Sequence, residues 1–255
     1  MRAQSTAERK PDRAGAGLEA AALRLTSEQG AVPLDQLARF LATDQREAEK
    51  LVASLKHRRL ALAETFLDGD SPWLWLTRKG AAEASTGLAH RPYPPDIAFL
   101  RHRRAINEVR LHLHAKEPNG RWVSETELEG RRRQGSRVPD GLFEVGDERH
   151  AIEVELSCKT RRAYRQVLKE NSDRYDAIVY FCGNRTQRLL DRIQSEEEWP
   201  KLIVRKLPGA NPPTRRRRRT QKRQPTGVEK ETLRLLAEQG VIRLDQLARF
   251  LNINT

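Results

Sequence analysis

Cysteine, long apolar runs and glycine-rich loops are all scarce in this chain, and each shortage removes a class of protein. Cys158 and Cys182 are the only two cysteines among 255 residues. They are too few and too far apart for a disulfide framework or a thiolate zinc site, and a reduced, cytoplasmic setting fits them. The start of the chain, Met1 to Pro11, is polar and has no apolar stretch of the kind a signal peptide needs. No run approaches the length that spans a bilayer, so a membrane partner is not expected. No glycine-rich phosphate loop is present, which leaves nucleotide hydrolysis unsupported. His90, His112, His114 and His150 lack the spacing of a metal site and are taken as surface or packing residues. The last shortage is local: residues 208–226 contain no acid at all.

Positive charge fills that gap. Arg215, Arg216, Arg217, Arg218, Arg219, Lys222 and Arg223 give this segment +7, and residues 1–16 add +2, so flexible segments are expected to carry most of the net +13. Such a run attracts polyanions by charge density alone. No basic amphipathic helix or lipidation signal points to acidic lipid, so DNA is the expected partner. A passive, solvated linker is the plain alternative for the arginine run. With 37% apolar and 33% charged residues, the cores are expected to be modest and the surface highly charged.

The chain reads as a series of modules. Residues 1–16 are expected to be a disordered tail, being small, polar and basic. Residues 17–85 predict three helices, a two-stranded hairpin and a short helix. Leu18 to Gln29 forms the first helix, and Pro33 opens the second, with Leu34, Leu37, Ala38 and Leu41 on one face. Asp44 with Glu47 supplies an N-cap for the third, which runs to about His57. Strands at Leu60–Leu67 and Trp73–Leu76 follow, and Trp73 and Trp75 serve a core or a domain contact. This order resembles a winged helix-turn-helix. Ala48, Leu51, Val52 and Leu55 face inward, leaving Arg46, Lys50 and His57 to meet a DNA groove. Glu47, Glu49, Asp68 and Asp70 stand nearby and would repel phosphate, so a protein-docking role is the competing reading.

A Pro-rich linker, 86–96, leads to a second module at 97–207. There a long helix near Ile97–Ala115 precedes a hairpin folded at Gly146-Asp147, and a helix-strand-helix-strand series follows. That alternation predicts a mixed α/β sheet covered by helices. Beyond the basic linker 208–226, residues 227–255 repeat 17–45, with 16 of 29 positions identical. The copy stops where the third helix would begin, so an incomplete second winged helix-turn-helix is expected there.

The chemistry concentrates in Val138-Pro139-Asp140-Gly141 and in Ala151-Ile152-Glu153-Val154-Glu155-Leu156-Ser157-Cys158-Lys159. The second stretch alternates apolar and acidic residues, as a strand with one buried face does, so Glu153 and Glu155 share a face. The Gly146-Asp147 turn would bring Asp140 back beside them. Carboxylates gathered with the Lys159 amine suit a divalent cation, Mg²⁺, acting on a phosphodiester. Taken singly, each piece is better explained as a solvated edge strand or an ordinary turn. Their conjunction is the signal.

That conjunction resembles the restriction-endonuclease-like superfamily, whose signature is Pro-Asp followed by Asp or Glu, any residue, and Lys. Asp140 matches the first acid and Glu153 the second. Glu155 stands where that pattern has lysine, and Lys159 is the substitute; the departure bears on catalysis more than on fold. Together with the preceding module, the chain resembles the replication-relaxation family of plasmid and mobile-element proteins. The resemblance covers 17–207 and rests on the winged module, His102 with Asn107 and Glu108, Trp122-Val123-Ser124-Glu125, Pro139-Asp140-Gly141, Ile152 to Leu156 and Lys159-Thr160. It implies a DNA-binding protein of plasmid replication, relaxation or mobilisation, working with other replication or mobilisation proteins. It further implies Asp140 and Glu153 as Mg²⁺ ligands, Glu155 or Lys159 positioning the attacking water, and Glu108 as an outer ligand unless it pairs with Arg104. The alternative is a non-enzymatic DNA-binding regulator or adaptor with a degenerate nuclease-like domain.

Overall fold

The computed structural model describes residues 13–66, 70–90, 97–131 and 137–209. The chain divides into two compact units, Met1–Gly209 and Ala210–Thr255, and every described residue belongs to the first. Arg215 to Arg219, the repeat at 227–255, Asp68 and most of the Pro-rich linker therefore lie outside the described residues.

The first lobe begins with helix α1 (Arg13–Gln29), which starts inside the stretch expected to be a tail. Gly30, at φ 75°, ends it in the left-handed backbone that glycine adopts without strain. Strand β1 (Val32–Pro33) follows, then α2 (Leu34–Phe40). Pro33 precedes α2 in extended backbone instead of opening it. Helix α3 (Gln45–His57) is capped as expected: the Asp44 carboxylate accepts the Glu47 N–H at 2.8 Å. Strands β2 (Ala61–Glu64) and β3 (Trp73–Leu76) then form an antiparallel sheet in the order β1-β3-β2, and α4 (Arg78–Ala84) closes the lobe.

Both faces of β3 are covered, which explains its unbroken apolar sequence. Leu74 and Leu76 join the core made by α1, α2 and α3, including Leu23, Leu37, Val52 and Leu55. Trp73 and Trp75 turn the other way, onto Ala31 and Leu100. Leu100 belongs to α5 (Ile97–Lys116), the first helix of the second lobe, so the tryptophans join the two lobes.

The second lobe continues with β4 (Arg121–Ser124), α6 (Glu125–Gly130), β5 (Gly141–Val145) and β6 (Glu148–Glu155). Then come α7 (Arg161–Ser172), β7 (Ala177–Cys182), α8 (Asn184–Glu196) and β8 (Leu202–Lys206). Its five strands lie in chain order, β4-β5-β6-β7-β8. β5 runs antiparallel to both neighbours, while β6, β7 and β8 are parallel.

Helices cover both faces of this sheet, as parallel strands require. On one face Ile106 and Val109 of α5 pack on Ile152, Val154, Val179 and Phe181. On the other, Tyr164 and Leu168 of α7 and Leu190 and Ile193 of α8 pack on Ile178, Tyr180 and Cys182. Each such side chain, fully buried, contributes about 1.5–3 kcal/mol. The described residues thus form a mixed α/β protein. No helix among them is long and apolar enough to cross a membrane.

The lobes are locked by charge as well as by tryptophan. Arg104 of α5 pairs with Asp35 at 2.6 Å and Asp70 at 3.3 Å, and Arg110 pairs with Glu28 at 2.9 Å. Arg103, 1% exposed, reaches Glu125 at 3.0 Å and lies 4.7 Å from the Phe99 ring. Asp70 is thereby occupied within the protein instead of being set against a phosphate.

Candidate functional site

The carboxylates sit where β5 begins and β6 ends. Gly141 pairs with Ile152, so one further step along this antiparallel register sets Asp140 across from Glu153. The glycine is required: a Cβ at 141 would fall 2.2 Å from the Trp122 ring, which lies over the start of β5. Past the end of the ladder the Asp140 side chain takes over as acceptor, with Oδ2 receiving the Val154 N–H at 2.7 Å. Its Oδ1 lies 3.1 Å from Nε2 of His102, on α5. A backbone amide and an imidazole therefore hold the carboxylate from two sides.

Glu153 and Glu155 share the α7 side of the sheet, since Ile152 and Val154 fill the α5 side. Leu156, expected beside Ile152 and Val154, is 49% exposed and lies past the end of β6. Glu153 is 4% exposed and stands next to Tyr180 in the parallel register. Burial, and then the nearby Asp140 charge, push its carboxyl up to about 8. Arg137 partly offsets this, with Nη2 3.3 Å from Oε2. Oε1 is buried without any hydrogen-bond partner. The same burial, with Glu153 alongside, raises the Tyr180 phenol, and the Asp140 hydrogen bond raises His102.

Glu155 does not join the other two. Alternate residues on one face of a strand are ~7 Å apart. Its Oε2 meets the Lys159 ammonium at 2.6 Å, and its Oε1 accepts from Ser157. Among the described residues no three His, Cys, Asp or Glu side chains are grouped to hold a metal ion. The expected convergence of Asp140, Glu153 and Glu155 on one cation is thus reduced to the pair Asp140 and Glu153.

Glu108 lies six residues, ~9 Å, beyond His102 along α5. It accepts from Gln36 at 2.8 Å and pairs with Arg39 at 2.5 Å, serving the joint between the lobes. Its expected partner Arg104 is instead turned to Asp35 and Asp70.

Asp140 and Glu153 are the residues that could hold Mg²⁺. That ion keeps several waters and is commonly bound through one or two carboxylates plus substrate phosphate. Two carboxyls supply hard oxygens of the kind that ion takes, Glu153 only once it gives up the proton that burial makes it keep.

On α3, Arg46, Lys50 and His57 are exposed, while Ala48, Val52 and Leu55 are buried. Lys50 is held by Glu47 at 2.6 Å, which raises its pKa and offsets part of the charge this helix could offer DNA.

Sequence reasoning missed Arg137 and gave His102 no role in the site. His102 is 38 residues from Asp140 and meets it only through the packing of α5 on the sheet. Arg137 could have been suspected, because it lies just two residues before Pro139 on the approach to the acid. The chain matches no protein-family model and no curated protein sequence.

Proposed function

We propose that this chain is a DNA-binding protein whose second lobe carries a divalent-cation site for phosphodiester cleavage, of the restriction-endonuclease-like kind. The observation that carries this reading is the buried, partner-poor Glu153 set across the strand register from an Asp140 fixed by the Val154 amide and His102. Burying a carboxyl against another carboxylate is costly. A site that binds a cation gives that cost a purpose. Replication, relaxation or mobilisation of a plasmid or mobile element is the setting that the residue pattern suggests, with the first lobe acting as a winged helix-turn-helix that presents Arg46, Lys50 and His57.

Asp140 and Glu153 would hold Mg²⁺, which supplies Lewis-acid polarisation of a phosphate oxygen and an acidified water. His102 keeps Asp140 oriented. Lys159, neutralised in part by Glu155, sits at the same end of β6 and is available to a phosphate oxygen or to the attacking water. Arg137 must release Glu153 Oε2, or share it, once a cation binds.

A second reading has its own observation. Arg137 and Lys159 already engage Glu153 and Glu155, as they would in a degenerate site kept for binding alone. Purified protein incubated with supercoiled plasmid and Mg²⁺ or Mn²⁺ separates the two. Catalysis predicts nicked or linear product that Asp140→Ala and Glu153→Ala abolish while DNA binding persists. Intact plasmid bound by wild type would establish the non-enzymatic regulator.

A further inference from the structure

A groove of about 670 Å³ lies where α7 and α8 begin, at the same sheet end as the carboxylates. Its lining includes Lys159, Arg161, Arg185, Arg188, Leu189 and Arg192. Elsewhere in this unit arginines are commonly matched to acids, as at Arg39, Arg104 and Arg110. Here Arg161 is paired with Glu196 and Lys159 with Glu155, but among the described residues Arg185, Arg188 and Arg192 form no direct ion pair, although Arg192 has its charge near an acid, Glu196. All three are exposed.

Spacing selects the ligand. Positions 185, 188 and 192 follow the i, i+3, i+7 rule and lie along one face of α8. Seven residues of helix rise ~10.5 Å, about three of the ~3.4 Å axial steps between charges on one DNA strand, so the row is long enough to meet more than one phosphate. The start of α8 adds to this. Its N-cap is Gly183, with no side chain to cap the first-turn N–H groups, whereas α7 is capped by Thr160. Uncapped amides at a helix start favour an anion. Leu189 is the one large apolar side chain in the lining, and no aromatic is present to stack a base.

We propose that this groove is a track for the sugar-phosphate backbone of DNA, with Arg185, Arg188 and Arg192 on successive phosphates. It rests on the reading of the chain as a DNA binder and is independent of whether the carboxylates cleave. Lys159 belongs both to the groove and to the Glu155 ion pair, so a strand held on α8 is led toward Glu153. Contacts to phosphate position a duplex without reading its sequence, so the track is assigned to sequence-independent binding.

The test uses the full chain and a short mixed-sequence duplex, with affinity measured by fluorescence anisotropy between about 50 and 200 mM salt. The triple variant Arg185→Ala, Arg188→Ala, Arg192→Ala is expected to make the log–log salt dependence shallower by roughly 2–3, at about 0.9 per lost phosphate contact. Replacing the same three residues with Lys is expected to keep the dependence, which guards against a merely misfolded alanine variant. Calorimetry with Mn²⁺ alone should be unchanged in the alanine variant, separating this inference from the metal site.

An unchanged dependence in the alanine variant overturns the track. If Arg46→Ala with Lys50→Ala shifts it instead, DNA binding itself survives and belongs to α3. Absence of DNA binding in wild type removes both readings. Tighter binding of poly-glutamate than of the duplex at equal charge concentration also overturns the track, in favour of an acidic protein segment.

Discussion

Glu153 is the residue on which the site turns, and its environment makes a prediction about stability. The unfolded chain gives up this proton near the ordinary value of 4.5, while the folded protein keeps it to about 8. Between those values the native state binds the extra proton. Its contribution to stability is therefore full below about pH 4.5 and falls as pH rises to about 8. Glu153→Gln stays neutral throughout, so it should flatten this fall. A tenfold change in proton affinity is worth ~1.4 kcal/mol, and the variant should gain at least about that much above pH 8. Thermal melts in a pH series check this, and parallel profiles for the two proteins would refute it. The alternation Ile152-Glu153-Val154-Glu155 was enough to put both acids on one face. It could not tell that Glu155 is spoken for by Lys159, because that pairing forms only after the chain turns at Leu156 and Ser157. Nor could it reveal that His102 completes the Asp140 site, since a helix face carries no mark of which sheet end it will cover.

Among the elements, those with strong local signals were legible. The Asp44 cap, the all-apolar β7 and the Gly146-Asp147 turn stand where pattern and turn chemistry put them. β4 and α6 were not read as elements, for Arg121 to Ser124 is a short strand that leads straight into an acidic turn of helix. α4 shows how packing overrides propensity. Gly80 lies within it, and helix preference alone would favour alanine there by about 1 kcal/mol. A Cβ at 80 would meet the Leu60 carbonyl oxygen at 1.8 Å, and that backbone cannot swing aside as a side chain would. Gly80→Ala should therefore destabilise the protein, by about 1–3 kcal/mol, as overpacking commonly does. Urea denaturation gives the sign directly, and a stabilised variant would mean that α4 is not seated on Leu60 as described.

At the scale of the whole unit, the sequence suggested two modules on a Pro-rich linker, but α5 joins them. Its arginines meet acids of the first lobe, and Trp73 and Trp75 pack on its Leu100. Composition gives no hint of this, because pairings such as Arg104 with Asp35 span 69 residues. Tryptophan fluorescence and far-UV circular dichroism should accordingly report one coincident unfolding transition. Separate transitions for the two lobes would contradict the joint. The proposed function depends on Asp140 and Glu153 binding a divalent cation, and calorimetry tests that most directly. Titrating Mn²⁺ into the protein at pH 7, in buffers of differing ionisation enthalpy, should give one binding event that releases a proton, because the cation displaces the one Glu153 holds. Asp140→Ala should abolish that event. Binding without proton release, equal binding by the variant, or no binding by wild type would contradict it.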